Sequence, residues 1–216
     1  MSFLEICRQL LPGMGITLQI FFITLLFSIP LGLAIAIGRM SRFKIVSWIF
    51  RLYIDIMRGT PLMLQLLVVY FGPYYMFGIN ISSSYRGIAV MIAFSINYAA
   101  YFAEIYRAGI NSIDKGQWEA AYILGYNKVQ TFAKIILPQM KKRIIPPMTN
   151  EMVTLVKDTS LAFSIAYAEM FTEAKRIASA QTSMMPFVAA ALFYFSFNAI
   201  ISLLSNKVEK KLSYYD

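Results

Sequence analysis

The sequence predicts an all-α integral membrane protein with five transmembrane helices, its N-terminus outside and its C-terminus cytoplasmic. Three observations lead there. Of 216 residues, 58% are hydrophobic and 15% aromatic, and the mean hydropathy of +0.59 is far above that of a soluble domain. Uncharged stretches cover residues 9–38, 59–85, 87–103 and 177–206. Each, with its flanks, can supply the roughly 20 helical residues that a hydrocarbon core of about 30 Å requires. Basic residues collect at the ends of these stretches instead of inside them.

The first crossing, 9–38, is retained and not a cleaved leader. Glu5 and Arg8 precede it where a basic cluster would be needed, it is too long for a signal-peptide core, and Arg39 follows as a stop-transfer flank. Its Gly32 and Ala36, with the offset pair Ala34 and Gly38, put small residues four apart, which reads as ordinary close helix packing. The second, 59–85, should be bent, because Pro61 near its start and Pro73 after Gly72 each remove a backbone donor. Its aromatic run from Tyr70 to Tyr75 reads as lipid-facing filler and interfacial belt. The third is 87–103. The fourth, 144–168, is interrupted by Glu151, Lys157 and Asp158, and the fifth is 177–206.

Five crossings nearly exhaust the length, so residues 1–216 form one domain without internal repeat or linker. Arg39, Arg42, Lys44, Arg51 and Arg58 lie between crossings one and two, and Arg107, Lys115, Lys128, Lys134, Lys141, Lys142 and Arg143 between three and four. Lys207, Lys210 and Lys211 lie in the tail. These are the cytoplasmic loops by the excess of positive charge.

Composition excludes several functions. Cys7 is the single cysteine and histidine is absent, which leaves no disulfide framework and no His-based metal or acid–base centre. The net charge of +9 is explained by the loops, so no nucleic-acid partner is expected. No Gly-rich loop ending in Gly-Lys-Ser/Thr is present to cradle phosphates, so the chain itself should bind neither ATP nor Mg²⁺.

A polar, part-amphipathic insert at about 112–138 separates crossings three and four. Asp114 with Gln117 makes a candidate capping box, after which Trp118, Ala121, Tyr122 and Gly125 share one helical face. Gly125 ends that helix or admits another backbone closely. Asn127 with Gln130 repeats the capping pattern, and Val129, Phe132 and Ile136 continue an apolar stripe to Pro138, giving helix, turn, helix beside the membrane. Periodicity alone fits an interfacial helix resting on headgroups equally well.

Spacing separates the two. Glu119-Ala120-Ala121, three residues, Gly125, nine residues, Ile135, then Leu137-Pro138 resembles, without a gap, the signature loop of the membrane permease subunits of ATP-binding-cassette (ABC) importers. Arg58-Gly59-Thr60-Pro61-Leu62 with Gln65-Leu66 is similar to the second-helix motif of the polar amino acid uptake branch. The run from Tyr101 to Ile110 resembles that branch's third-helix exit. Asn150-Glu151 through Leu155, Lys157, Asp158, Thr159, Ser160 and Leu161 resembles its fourth helix. The likeness covers about residues 15–204.

The resemblance implies a multi-pass subunit of a bacterial cytoplasmic membrane that pairs with a second permease, either an identical or a similar chain. Its coupling helix would insert into separate ATPase subunits that carry ATP and Mg²⁺, and an extracytoplasmic binding protein would deliver an amino acid. ATPase-coupling residues are then Glu119, Ala120, Ala121, Gly125, Leu137 and Pro138, with Glu119 a charged contact and Gly125 placed where a side chain would clash.

Charges at bilayer depth cost about 2.5–3.5 kcal/mol each on insertion scales and should face protein or water. Glu151 and Asp158 lie seven apart on one helical face with Thr154 between them, and Lys157 is turned away. Glu151 is expected to line the substrate pathway and meet a cationic group. Asp158 is expected to pair with Lys157 or another helix, with the pathway as its other role. Asn150, Thr159 and Ser160 add donors and acceptors. Thr60 and Gln65 either face the same cavity or satisfy a kink at Pro61. Glu104 and Arg107 read as an interfacial salt bridge. Carboxylates in the cavity would favour a basic amino acid, but the same residues could serve glutamine, cystine or another zwitterion. A channel or secondary carrier would need no coupling loop, and a lipid-modifying membrane enzyme would need a metal-holding cluster that the sequence lacks.

Overall fold

The computed structural model describes residues 2–212, which form helices and no strands. In order they are α1 (Phe3–Arg39), α2 (Lys44–Gly59), α3 (Leu62–Phe77), α4 (Tyr85–Asn111), α5 (Lys115–Ile123) and α6 (Lys128–Thr131). A π-helical turn (Phe132–Ile136) then leads into α7 (Leu137–Asp158) and a 3₁₀ turn (Thr159–Ile165) into α8 (Met170–Gln181), followed by α9 (Met185–Leu212).

The α1 helix starts with a complete capping box: the Glu5 amide donates to Ser2 Oγ at 3.3 Å, and the Ser2 amide donates to Glu5 Oε2 at 2.9 Å. Its buried stripe runs Leu10, Gly13, Thr17, Ile20, Thr24, Ser28, Gly32 and Ile35, at helical spacing. Small and hydroxylated residues thus point inward, while Phe22, Leu26 and Phe27 face outward. That inversion of the soluble pattern is what a lipid-surrounded bundle needs, since apolar bulk on the outside costs nothing there and small residues let backbones approach. A Cβ on Gly32 would lie 2.8 Å from Phe102 Cβ and 3.0 Å from the Ala99 carbonyl, so α1 and α4 meet at backbone distance. Around this contact the main core gathers Phe94, Tyr98, Phe102, Leu66, Leu155 and Val156. A smaller cluster joins Ile6 and Leu10 of α1 to Met170, Ala174 and Ile177 of α8 and Ala189 and Ala190 of α9.

Among the described residues, three helices, α1, α4 and α9, are long and apolar enough to cross a membrane, and α2 with α3 qualifies as a pair bent by 106°. The second expected crossing is therefore not one bent helix over 59–85. It is two helices broken at Thr60-Pro61, the first starting at Lys44, and α3 stops at Phe77 because Gly78 takes φ +67°. Tyr70 also departs from the expected belt: it is buried and stacks on Tyr85 with centroids 6.3 Å apart.

The helix of the fourth expected crossing is α7, which carries Lys141, Lys142, Arg143, Glu151, Lys157 and Asp158 and falls outside that apolar class. It begins at Leu137 and ends at Asp158, short of the expected 168, where a tighter 3₁₀ turn takes over. The helix of the last expected crossing, α9, starts at Met185 and not at 177. Residues 177–181 belong to α8, and Thr182 at φ +48° turns the chain between them. No charge marks that turn, so composition ran the two segments together.

Candidate functional site

The break between α2 and α3 is held by amides. Gln65 Nε2 donates to the carbonyls of Met57 (3.0 Å) and Thr60 (3.2 Å) and to Thr60 Oγ1 (2.7 Å). Asn97 Nδ2, from α4, donates to the Met57 carbonyl at 3.0 Å and to Gln65 Oε1 at 2.9 Å. Thr60 Oγ1 in turn donates to the Ile56 carbonyl at 2.8 Å. The carbonyls freed at the end of α2 thereby find partners, as a low-dielectric interior demands. Both ends of the Gln65 amide are used in this way, which answers to the kink-satisfying role of Thr60 and Gln65. Asn97 was missed from sequence, although a lone amide in an otherwise apolar stretch is the signal that should have raised it.

On α7, Glu151, Thr154 and Asp158 are half-buried and Lys157 is exposed, the arrangement their spacing implies. Asp158 Oδ2 accepts from Tyr98 of α4 at 2.7 Å, so its hydrogen-bond partner is on another helix. Thr159 is fully buried and its hydroxyl donates to the Val156 carbonyl at 2.7 Å. Ser160 Oγ returns to the Lys157 carbonyl at 2.7 Å, and Asn150 is exposed.

Glu151 opens into a pocket of about 320 Å³ between α2, α4 and α7, lined also by Arg58, Tyr101, Glu104, Arg143 and Pro147. Glu104 and Arg107 form the expected ion pair, with Arg107 Nε 3.0 Å from both carboxylate oxygens. Arg143 donates to the Ser112 carbonyl.

The insert is an outstretched loop. Asp114 accepts from the Gly116 amide at 2.6 Å and caps α5, but the expected reciprocal bond from Gln117 is not made, because its side chain accepts from Gln139 at 3.2 Å. The second capping box is complete: Gln130 N to Asn127 Oδ1 at 2.9 Å, Asn127 N to Gln130 Oε1 at 3.0 Å. Ala121 is the one residue of α5 that is buried, and the helix packs chiefly against α6 and the π turn. Tyr122, Ile123 and Leu124 are 81%, 83% and 74% exposed, and Val129 is 77% exposed. Glu119 and Ala120 are exposed beside them, and Leu137 with Pro138 opens α7, where a proline lacks no needed donor.

Gly125 takes φ +79°, and a Cβ there would meet nothing within 4 Å of this chain. The expected clash is therefore absent within the chain. What calls for glycine is the left-handed backbone.

A second buried acid had no sequence signal beyond its place before Met170. Glu169 is fully buried and caps α8, accepting from the amides of Phe171 (2.8 Å) and Thr172 (2.7 Å), from Thr172 Oγ1 (2.9 Å) and from Tyr194 of α9 (3.0 Å). Burial pushes its carboxyl above the usual range, and these four donors pull against that rise. The Met170 amide donates to Thr17 of α1 at 3.2 Å, so α1, α8 and α9 meet at this point.

Comparison with known proteins follows the same outline. Residues 28–214 match the family described as binding-protein-dependent transport system inner membrane component. The L-cystine transport system permease of Bacillus subtilis is 36% identical, over 94% of this chain and 86% of the relative. The arginine transport system permease of the same organism is 36% identical, over 96% and 94%. A crystal structure of an amino acid ABC transporter with histidines superposes with a TM-score of 0.87 at 33% identity, covering 98% of this chain and 99% of that one.

Proposed function

Because the chain belongs to the inner-membrane components of binding-protein-dependent transport, the amino-acid permeases of ABC importers in the cytoplasmic membrane, we propose that it moves a polar amino acid inward by alternating access, driven through its α5–α7 loop. In this reading residues 1–216 are one permease domain with five crossings: α1, the α2–α3 pair, α4, α7 and α9. The N-terminus is outside and the loop and C-terminus are cytoplasmic, following the charges between crossings. A second permease completes the pathway, separate ATPase subunits hold ATP and Mg²⁺, and a binding protein supplies substrate from outside.

The observation that carries this is the exposed apolar tip. A three-residue run of Tyr, Ile and Leu on a doubly capped loop is left largely uncovered by the described residues. Aromatic and aliphatic anchors of this kind characterise the centre of a protein interface. A channel or secondary carrier would have no use for it. Glu119 beside the tip makes no hydrogen bond or ion pair among the described residues and is available to a basic partner.

The two permeases at 36% identity are named for arginine and cystine, a cationic and a neutral side chain, which supports an amino acid as cargo and leaves its side chain open. Glu151 and Asp158 add a bias toward a basic one.

Gly125→Asp tests the coupling. It puts a Cβ on a left-handed backbone, costing about 1–2 kcal/mol locally, and an anion at the tip. The variant should reach the membrane and lose both co-purification with the ATPase and substrate-stimulated hydrolysis. Wild-type values for both would overturn the proposal.

A further inference from the structure

A groove follows one side of the seam between α1 and α4. The two helices meet at backbone distance at Gly32, against Phe102 and the Ala99 carbonyl, and toward their N-terminal ends a cavity of about 640 Å³ opens between them. Its α1 wall is the row Gln19, Ile23, Phe27 and Leu31, at four-residue spacing, and its α4 wall runs from Ser84 to Ile96. No charged side chain lines it.

Depth decides what fits. Gln19 lies 20 positions before Arg39, and Ser84 lies 20 before Glu104, roughly 30 Å along each helix at about 1.5 Å per residue. Arg39 and Glu104 lie close enough for one charge to act on the other. The rise equals the hydrocarbon core of about 30 Å, so with Arg39 and Glu104 at one interface, Gln19 and Ser84 reach the opposite one. From there to Leu31 and Ile96 the walls descend 12 positions, roughly 18 Å, about the depth of one leaflet. Polarity follows the same axis. Near the mouth, the Gln19 side chain and the Tyr167 hydroxyl make no hydrogen bond among the described residues, and both can donate. Below them the walls are apolar as far as Ser95, which is 6% exposed and has a hydroxyl without a partner. Its small side chain leaves the floor open.

A filler must be apolar through one leaflet and accept hydrogen bonds at the interface. A phospholipid meets both demands, with an acyl chain in the slot and its ester carbonyls, which only accept, at Gln19 and Tyr167. We propose that this groove binds one acyl chain of a phospholipid in the leaflet opposite Arg39 and Glu104, the outer leaflet in the orientation proposed above. A helix of a second copy fits less well, since close helix contacts in membranes use small residues and the exposed rims here are Phe27, Leu31, Ile88 and Ile92.

The test uses the full chain in nanodiscs of phosphatidylethanolamine and phosphatidylglycerol, doped with phosphatidylethanolamine carrying a diazirine midway along one acyl chain. After irradiation, mass spectrometry should find severalfold more label on Phe27, Ile92 and Ile96 than on Phe22, Leu26 and Leu203, which are exposed elsewhere on the flanks. Ile92→Trp fills the slot from its rim and should remove that excess, leaving the flank labelling unchanged. Gln19→Leu with Tyr167→Phe should keep the melting temperature and cut the excess severalfold, because the mouth donors are gone. Equal labelling of groove and flank overturns the proposal, and so does an excess that survives either variant. A second copy in the groove is the other outcome that overturns it. With Cys7, the single cysteine, replaced by Ser, Ile92→Cys would then cross-link two chains on oxidation.

Discussion

At the scale of single residues, the structure turns on groups that satisfy backbone ends. Glu169 shows the strength of that demand: a carboxylate is tolerated at zero exposure because two amides and two hydroxyls converge on it. Removing it leaves the first turn of α8 without its cap and Tyr194 without its acceptor. Glu169→Ala should therefore lower stability by roughly 1–3 kcal/mol, read as a lower melting temperature of the detergent-purified protein. An unchanged melting temperature would show that the network is not structural. Asp158 follows the same logic with one donor, Tyr98. From sequence, the seven-residue spacing of Glu151 and Asp158 sufficed to put them on one face. The partner of Asp158 was out of reach, because Tyr98 lies 60 positions away and is brought in by packing.

Helices settle the next scale. The stripe of small residues on α1 lets it lie against α4 at backbone distance, with Gly32 at the closest point. Gly32→Leu would drive a branched side chain into Phe102 and the Ala99 carbonyl. Loss of about 1–3 kcal/mol is expected from overpacking, seen as a reduced yield of monodisperse protein and a lower melting temperature. Wild-type yield and melting would mean that α1 shifts freely. The apolar runs 9–38 and 87–103 were legible as helix, but not where the helices end: α1 begins at Phe3, ahead of Glu5 and Arg8, and α4 continues to Asn111, past Glu104 and Arg107. The break at Pro61 was legible as a bend because proline lacks a donor, but its 106° angle was not, since Asn97 from α4 helps to hold it. The border of α8 and α9 was invisible, for a turn at Thr182 carries neither charge nor glycine nor proline. In the insert, the Asn127–Gln130 box formed as its spacing implied, whereas Gln117 was drawn off by Gln139, a competitor no local pattern reveals.

For the whole molecule, the bundle presents two kinds of unfinished surface. Its flanks expose Phe22, Leu26, Phe195 and Leu203 in the way a lipid-bathed protein does. The tip of the α5 loop exposes Tyr122, Ile123 and Leu124 on a short capped helix that packs on little but its own loop, which suits a protein partner. In the proposed reading, the work done on the substrate enters through this tip from a separate ATPase. Concentrative uptake in vesicles tests this most directly, comparing the permease alone with the permease plus its ATPase and binding protein. Accumulation against a gradient only when ATPase and ATP are both present is the expected result. Accumulation by the permease alone would contradict the account.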